Sequence, residues 1–173
     1  MNSRQIFKLT VDTLILAIIT SGIRVLLIRR KYDPFQDHWA IPGGFVEYNE
    51  DLHDASIREL REETGLSLTY LKQYHTFGHP DRDPRGRAVS VAFFGLIHGD
   101  QHAAKADSDA AEVNWFSIKE LPELAFDHEE IMRVGLNRIL NHLRADRKEL
   151  EKFHLSDPDF DLIEDHLTRS LVI

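Results

Sequence analysis

The sequence predicts an α/β layered fold, a mixed central sheet covered by helices, and three observations carry that expectation. Aliphatic and β-branched runs near the start have the composition and bounding turns of buried strands. A segment following Pro42-Gly43-Gly44 has the apolar spacing of a helix, and a second such segment follows the last strand pattern. No internal repeat or low-complexity tract interrupts this mixture, so strands interleaved with helices point to layers around one core.

Within Leu9 to Ile28, VDTLILAIIT and IRVLLI read as two buried strands punctuated by Ser21-Gly22. The same stretch has nearly the length of a membrane span. Asp12, Ser21, Gly22 and Arg24 interrupt it, however, and its N-terminal flank lacks a signal-peptide cleavage pattern, so no membrane partner is expected. Lys31 to Asp37 is a polar connection containing Pro34, and Trp39 to Gly44 forces a turn where backbone can approach a ligand.

Glu50 to Thr64 reads as a helix whose Leu52, Ala55, Ser56 and Leu60 face inward, with Gly65 as its stop. Leu66 to Phe77 and Ala88 to Ile97 read as two strands, joined by the turn-rich segment His79 to Arg87; a short strand over Val113 to Phe116 follows. Asp127 with Glu130 reads as a capping box opening a helix with Ile131, Val134, Leu136, Ile139, Leu140 and Leu143 inside. From Arg144 the chain is charged, and Asp157-Pro158 then opens an amphipathic helix bearing Phe160, Ile163, Leu167 and Leu171, which packs on the core or on a partner.

The 173 residues are 42% hydrophobic and 29% charged, enough apolar material for one globular unit with a substantial core. There is no cysteine, which excludes disulfides and thiolate metal sites and is compatible with a reducing compartment; a cytoplasmic location is the expectation. The formal net charge of −8 opposes a general affinity for nucleic-acid phosphates, so no nucleic-acid partner is expected. An anionic small molecule would need local help from divalent cations or well-placed arginines.

That help is written into GFVEYNEDLHDASIRELREETGL, Gly44 to Leu66, which fits G-x5-E-x7-R-E-L-x-E-E-x-G-L at all nine fixed positions. At ordinary residue frequencies a chance match has a probability on the order of 10⁻⁸ or less. Glu59, Glu62 and Glu63 stand at i, i+3 and i+4, which puts three carboxylates on one helix face. Such a cluster repels itself unless cations neutralise it, and a hard metal with oxygen ligands is the natural occupant. Arg58 can pair with Glu62 or Glu50 and orient the cluster, while Gly43 and Gly44 let the loop bend and offer a backbone carbonyl to the metal. A solvated acidic helix face would not require the accompanying glycines, Arg58 and Glu50.

This motif resembles the Nudix box, and looser resemblance to that superfamily extends from about Val11 to about Leu143. The resemblance implies a Nudix-type α/β/α sandwich with a mixed sheet over residues 1–144, followed by a helical extension over residues 145–173. It implies Glu59, Glu62 and Glu63 as metal ligands with the Gly44 carbonyl nearby, Mg²⁺ as the cofactor with Mn²⁺ as a substitute, and water attack on phosphorus. Catalysis is then expected from Glu62, Glu63 and Arg58. Glu112, just before the VNWF strand, looks like the later-loop glutamate that completes the metal site or acts as base, and a solvated loop acid is the equal alternative.

Thr76 to Pro80, the run Arg82 to Arg87, and Phe126-Asp127-His128 look like the ADP-ribose pyrophosphatase branch, as does Pro80 standing fifteen residues beyond Gly65. That branch implies Arg82, Asp83, Arg85, Arg87, Glu47 and His128 as substrate-binding residues, with arginines forking onto a phosphate or ribose from an exposed turn. The expected reaction is cleavage of ADP-ribose to AMP and ribose 5-phosphate. An ADP-ribose-binding regulator is the rival of another class, and nucleoside triphosphates or other nucleotide sugars are rival substrates. The intact box, and a tail short and acidic for a winged helix, weigh against the regulator.

Weaker signals receive a bland reading. His75 with His79 and His98 with His102 repeat at four residues, but neither cysteine nor H-E-x-x-H accompanies them, so zinc is not expected. Trp39 and Phe45 flank the glycine loop and read as core or rim packing before base stacking. The oligomeric state stays open, a homodimer included.

Overall fold

The computed structural model describes residues 6–99 and 110–171. His102 and the terminal Val172-Ile173 lie outside the described residues, as does the side chain of Leu171. Among them the chain forms strands β1 (Lys8–Ile19), β2 (Gly22–Arg30), β3 (Trp39–Ala40), β4 (Gly43–Phe45), β5 (Lys72–Phe77), β6 (Ala88–His98) and β7 (Ala110–Ser117). The helices are α1 (Leu52–Thr64), α2 (His128–Ala145), the short α3 (Glu149–Lys152) and α4 (Asp157–Leu171). The α/β/α sandwich expected from the motif is present.

All seven strands join one mixed sheet with the central order β3-β2-β1-β6-β5. β1 and β6 run parallel in continuous register from Lys8 opposite Ala88 to Ile18 opposite His98, and the other pairings are antiparallel. Period-two alternation explains why the apolar runs look uninterrupted. Leu14, Leu16 and Ile18 of β1 join Phe94 and Leu96 of β6 in the cluster covered by α2 and α4, whereas Val11, Ile15 and Ala17 join Val91 and Phe93 in the cluster beneath α1.

One feature of the pairing creates the cleft. The last residues of β1, Leu16 to Ile19, pair with β2, whereas Thr10 to Asp12 pair with β4 on the same edge. The sheet therefore splits beside Asp12, and β4 carries Gly43 and Gly44 away from β2 at that point.

α1 starts at Asp51, whose side chain accepts from the His53 N–H, and stops at Gly65, which adopts φ 71 and donates to the Arg61 carbonyl. Ala55, Ser56 and Leu60 are buried along it, as their spacing predicts. The α3–α4 segment contributes Leu150, Phe153, Leu155, Phe160, Ile163 and Leu167 to the cluster that holds Leu14 and Phe94. Glu149 ties α3 to β5: its buried carboxylate accepts from the Tyr70 hydroxyl and pairs with Lys72 at 3.1 Å.

Three local expectations need correction. Leu66 to Leu71 is not strand: β5 begins at Lys72, and Leu66 and Leu71 instead fill the space under α1 after the left-handed turn at Gly65. The strand expected over Val113 to Phe116 is longer and already includes Glu112. Asp127 is the first cap of α2 but makes no side-chain capping bond, because its carboxylate is held by a distant arginine.

Candidate active site

Local helix geometry puts Glu59, Glu62 and Glu63 on the α1 face that meets β4. The Gly43 N–H donates to Glu63 Oε2 at 2.8 Å. A Cβ on Gly44 would lie 2.5 Å from the Glu59 carboxyl group, so glycine is what lets the strand pass this close. Glu63 and Gly44 thereby reach the same cleft from two elements.

Arg58 organises the carboxylates. Its Nε and Nη2 fork onto Glu50 at 2.6 and 2.8 Å, Nη1 reaches Glu59 at 2.8 Å and Glu62 at 3.1 Å, and Nη2 also reaches the Phe45 carbonyl at 3.0 Å. The spacing suggested Glu62 or Glu50 as its partner, and it binds both along with Glu59. These bonds, led by the one to Glu50, raise the Arg58 pKa beyond its already high value. Burial pushes the Glu59 carboxyl upward against the opposing effect of Arg58, so neutralising it with a cation is favourable.

The other wall of the cleft is assembled from distant segments. Asp12 on β1 is buried, accepts from the Ser90 hydroxyl, and stands 3.6 Å from Arg82 Nη2 and 3.7 Å from His128 Nε2. His128 Nδ1 accepts from the Ile41 N–H at 2.9 Å, which places the proton of the neutral ring on Nε2, facing Asp12. Burial holds the His128 pKa below its ordinary value, so the ring is neutral near pH 7.

Arg82 is not in an exposed turn. Its side chain is 5% exposed and forks onto Asp127 at 2.9 and 2.7 Å, which also explains the missing cap on α2. Asp83 is buried and receives the Arg85 backbone N–H at 2.9 Å together with the Arg85 guanidinium, so Asp83 shapes the turn. Arg85 lines the cleft, packed 5.6 Å from the Phe45 ring and 5.2 Å from the Phe126 ring. Arg87 is absent from the lining and clamps the base of the loop instead, donating to the carbonyls of Gly78 at 2.7 Å and His79 at 3.1 Å.

Glu47 and Glu112 also lie away from the cleft lining. Glu47 is exposed, and its backbone N–H donates to Glu50 at 3.1 Å. On β7, Val113 and Trp115 turn toward the α1 side, so Glu112 has the parity of the opposite face and meets Arg29 at 3.8 Å. The structure therefore does not bring Glu112 to the acidic face of α1.

Of the weaker candidates, Trp39 packs edge-on against Phe116 at 4.6 Å, while Phe45 is half-exposed at the cleft. His75 lies on β5 and His79 in the loop beyond it, so they share no strand face. His98 pairs with Asp159 at 3.3 Å.

Sequence reading did not single out Asp12, Arg30 or Phe126 as site residues, yet all three line the cleft. Asp12 carried a signal as an acid inside an apolar strand, and Phe126 as part of the Phe126-Asp127-His128 run. Phe126 holds φ 52, an uncommon backbone state for a bulky residue, and that state turns its ring beside His128, with ring centroids 5.5 Å apart.

A helix that packs Glu59 and Glu63 against a glycine strand, with Arg58 binding its carboxylates and guanidinium groups on the opposite wall, has the arrangement of a pyrophosphohydrolase of the Nudix type. The chain belongs to the Nudix family: the model of the NUDIX domain matches residues 8–135.

Among curated relatives, an ADP-ribose pyrophosphatase of Methanocaldococcus jannaschii is 43% identical over 116 residues, 67% of this chain and 68% of that protein. The ADPR responsive transcriptional repressor NtrR of Acinetobacter baylyi is 34% identical over 79% of this chain, and the match spans only 56% of the repressor. The crystal structure of a MutT/nudix family protein from Enterococcus faecalis superposes with a TM-score of 0.76 at 29% identity, covering 99% of this chain and 83% of that one. The NUDIX domain of Shewanella oneidensis NrtR, solved in complex with ADP ribose, superposes with a TM-score of 0.73 at 29% identity, covering 78% of this chain and 90% of that one.

Proposed function

We propose that this Nudix pyrophosphohydrolase cleaves ADP-ribose to AMP and ribose 5-phosphate with a divalent cation, Mg²⁺ or in its place Mn²⁺. The observation that carries the reading is one cleft lined both by Glu63 with the Gly43-Gly44 strand and by Arg85 with Phe126. Acidic groups suited to metal face basic and aromatic groups suited to phosphate and ring systems. The archaeal relative named ADP-ribose pyrophosphatase and the Shewanella domain solved with ADP ribose support this substrate.

The donor chemistry fits a hard cation, since Glu59, Glu62, Glu63 and the Gly44 carbonyl offer oxygen only. The missing Cβ at Gly44 lets the Glu59 carboxylate lie directly against the strand whose carbonyl would share the ion with it. Among the described residues no three acidic or imidazole side chains already converge as a ready-made metal site. The bonds from Arg58 to Glu59 and Glu62 account for that, because they hold these carboxylates toward the guanidinium.

When bound, the cation supplies Lewis acidity to a phosphate oxygen and lowers the pKa of the attacking water. Arg58 keeps the carboxylates in register, the Gly43 N–H orients Glu63, and Arg85 meets substrate charge across the cleft. His128, neutral and held by Ile41, together with Asp12 fixes the floor. Residues 145–173 are read as an extension of the same domain, because α4 buries its apolar face in the core shared with α2.

The test is product analysis with the purified protein and Mg²⁺ against ADP-ribose, sugar nucleotides, dinucleotides and nucleoside triphosphates. Release of AMP and ribose 5-phosphate, with ADP-ribose having the highest kcat/KM, is the expected result. Preference for a triphosphate overturns the substrate and leaves the diphosphate-cleaving class.

The Acinetobacter repressor gives one specific reason to test a second reading, ADP-ribose binding for regulation. Tight binding of ADP-ribose with no turnover in Mg²⁺ or Mn²⁺ would favour it over catalysis.

A further inference from the structure

Two guanidinium groups approach one aromatic ring inside the cleft. Arg30, at the end of β2, lies 4.7 Å from the Phe126 ring centroid, and Arg85, at the tip of the loop after β5, lies 5.2 Å from it. Like charges this close repel, and the chain spends much of each side chain on holding it in place. Arg30 donates Nε to the Pro34 carbonyl at 3.0 Å and Nη2 to the Tyr32 carbonyl at 3.2 Å. Arg85 gives Nε and Nη2 to Asp83.

Among the described residues, Nη1 of Arg30 and Nη1 of Arg85 make no hydrogen bond, while both residues line the cleft that Glu63 and Gly44 enter from the other side. Arg30 meets no carboxylate within ion-pair distance among the described residues; Arg85 has one, Asp83. Burial first, and the neighbouring Arg85 charge second, hold the Arg30 pKa below its ordinary value. A pair of rigidly mounted cations with unspent donors, beside a metal-binding face, suits an oxyanion that bridges the two walls.

We propose that Arg30 and Arg85, mounted on Phe126, form a two-pronged clamp for the diphosphate of the substrate, with Arg30 as the substrate-positioning member that the motif does not contain. The inference rests on the diphosphate-cleaving reading above. The left-handed backbone at Phe126 then has a function, since it presents the ring that both prongs lie against. Arg30 also couples the clamp to the Tyr32–Pro34 segment, whose carbonyls it binds.

The experiment titrates the intact protein with inorganic pyrophosphate in Mg²⁺ buffer by calorimetry, alongside steady-state kinetics on ADP-ribose. Arg30→Ala is expected to weaken pyrophosphate binding by roughly 10- to 100-fold, with most of the loss in kcat/KM appearing in KM. Arg30→Lys should recover part of it, because charge returns without the planar fork. If Arg30→Ala melts early through loss of its loop contacts, Arg30→Gln, which keeps one amide donor to those carbonyls and no charge, gives the same reading. Pyrophosphate affinity and KM within twofold of wild type in the folded variant, while wild type cleaves ADP-ribose, overturn the clamp and spare the proposed function. Loss of pyrophosphate binding in the variant, with wild type cleaving some other diphosphate, supports the clamp and overturns the substrate instead.

Discussion

Arg82 and Asp127, forty-five residues apart, form a part-buried two-bond fork of 2.9 and 2.7 Å that joins the loop after β5 to the head of α2. Arg82 also stands 3.6 Å from Asp12. One guanidinium therefore neutralises two carboxylates, Asp12 in the wall of the cleft and Asp127 at the head of α2.

Arg82→Ala is accordingly expected to cost stability before it costs binding. Removing the guanidinium leaves the buried Asp12 and the part-buried Asp127 without their cation, which costs about 3 kcal/mol. For a chain of this length that lowers Tm by roughly 6–12 °C. Thermal unfolding followed by circular dichroism checks it, and a Tm within about 2 °C of wild type would show that the fork contributes little.

The two glycines of β4 should respond differently to alanine. At Gly43 a Cβ would overlap the Val11 backbone carbonyl, and backbone cannot yield, so Gly43→Ala should fail to accumulate as folded protein. At Gly44 the obstacle is the movable Glu59 carboxylate, so Gly44→Ala should fold while displacing Glu59. Its kcat is expected to fall ~10- to 100-fold. Equal solubility and equal kcat for both variants would contradict the geometry.

Glu62→Gln and Glu63→Gln should keep the fold and lose ~10³-fold or more in kcat, as expected for carboxylates that hold a catalytic cation. Excess EDTA should abolish turnover of wild type, and added Mg²⁺ or Mn²⁺ should restore it. Full activity of metal-free protein in chelator would remove the cation from the mechanism.

Acid should loosen the attachment of α3. The Tyr70 hydroxyl and the Lys72 and Lys152 ammonium groups outweigh burial and hold the Glu149 carboxyl at about 2, below its unfolded value. A depressed carboxylate contributes stability that is fully present above about pH 4.5 and is lost as pH falls toward 2. Tm measured from pH 6 to pH 3 should therefore drop more steeply in wild type than in Glu149→Gln. Parallel curves would rule out Glu149 as the titrating group.

What the sequence by itself determined was everything set by spacing along one element. The i, i+3, i+4 placement of Glu59, Glu62 and Glu63 puts them on one face wherever the helix lies, and Gly65 ends that helix through its own left-handed backbone. β1, β2 and β6 were legible because strands buried on both faces must be apolar throughout. Tertiary structure decided which separate segments meet. Parallel pairing of β1 with β6 brings Ser90 to Asp12, and the split of β1 between β2 and β4 opens the cleft beside it. Asp127 reads as a helix cap until a buried arginine claims it, and Glu112 reads as a metal-site acid until strand parity turns it to the far face. Arg30 gave no signal in the sequence, and it is the backbone at Phe126 that places a ring beside it. Such choices depend on competition between partners distant along the chain, and burial settles it by strengthening whichever contact excludes water.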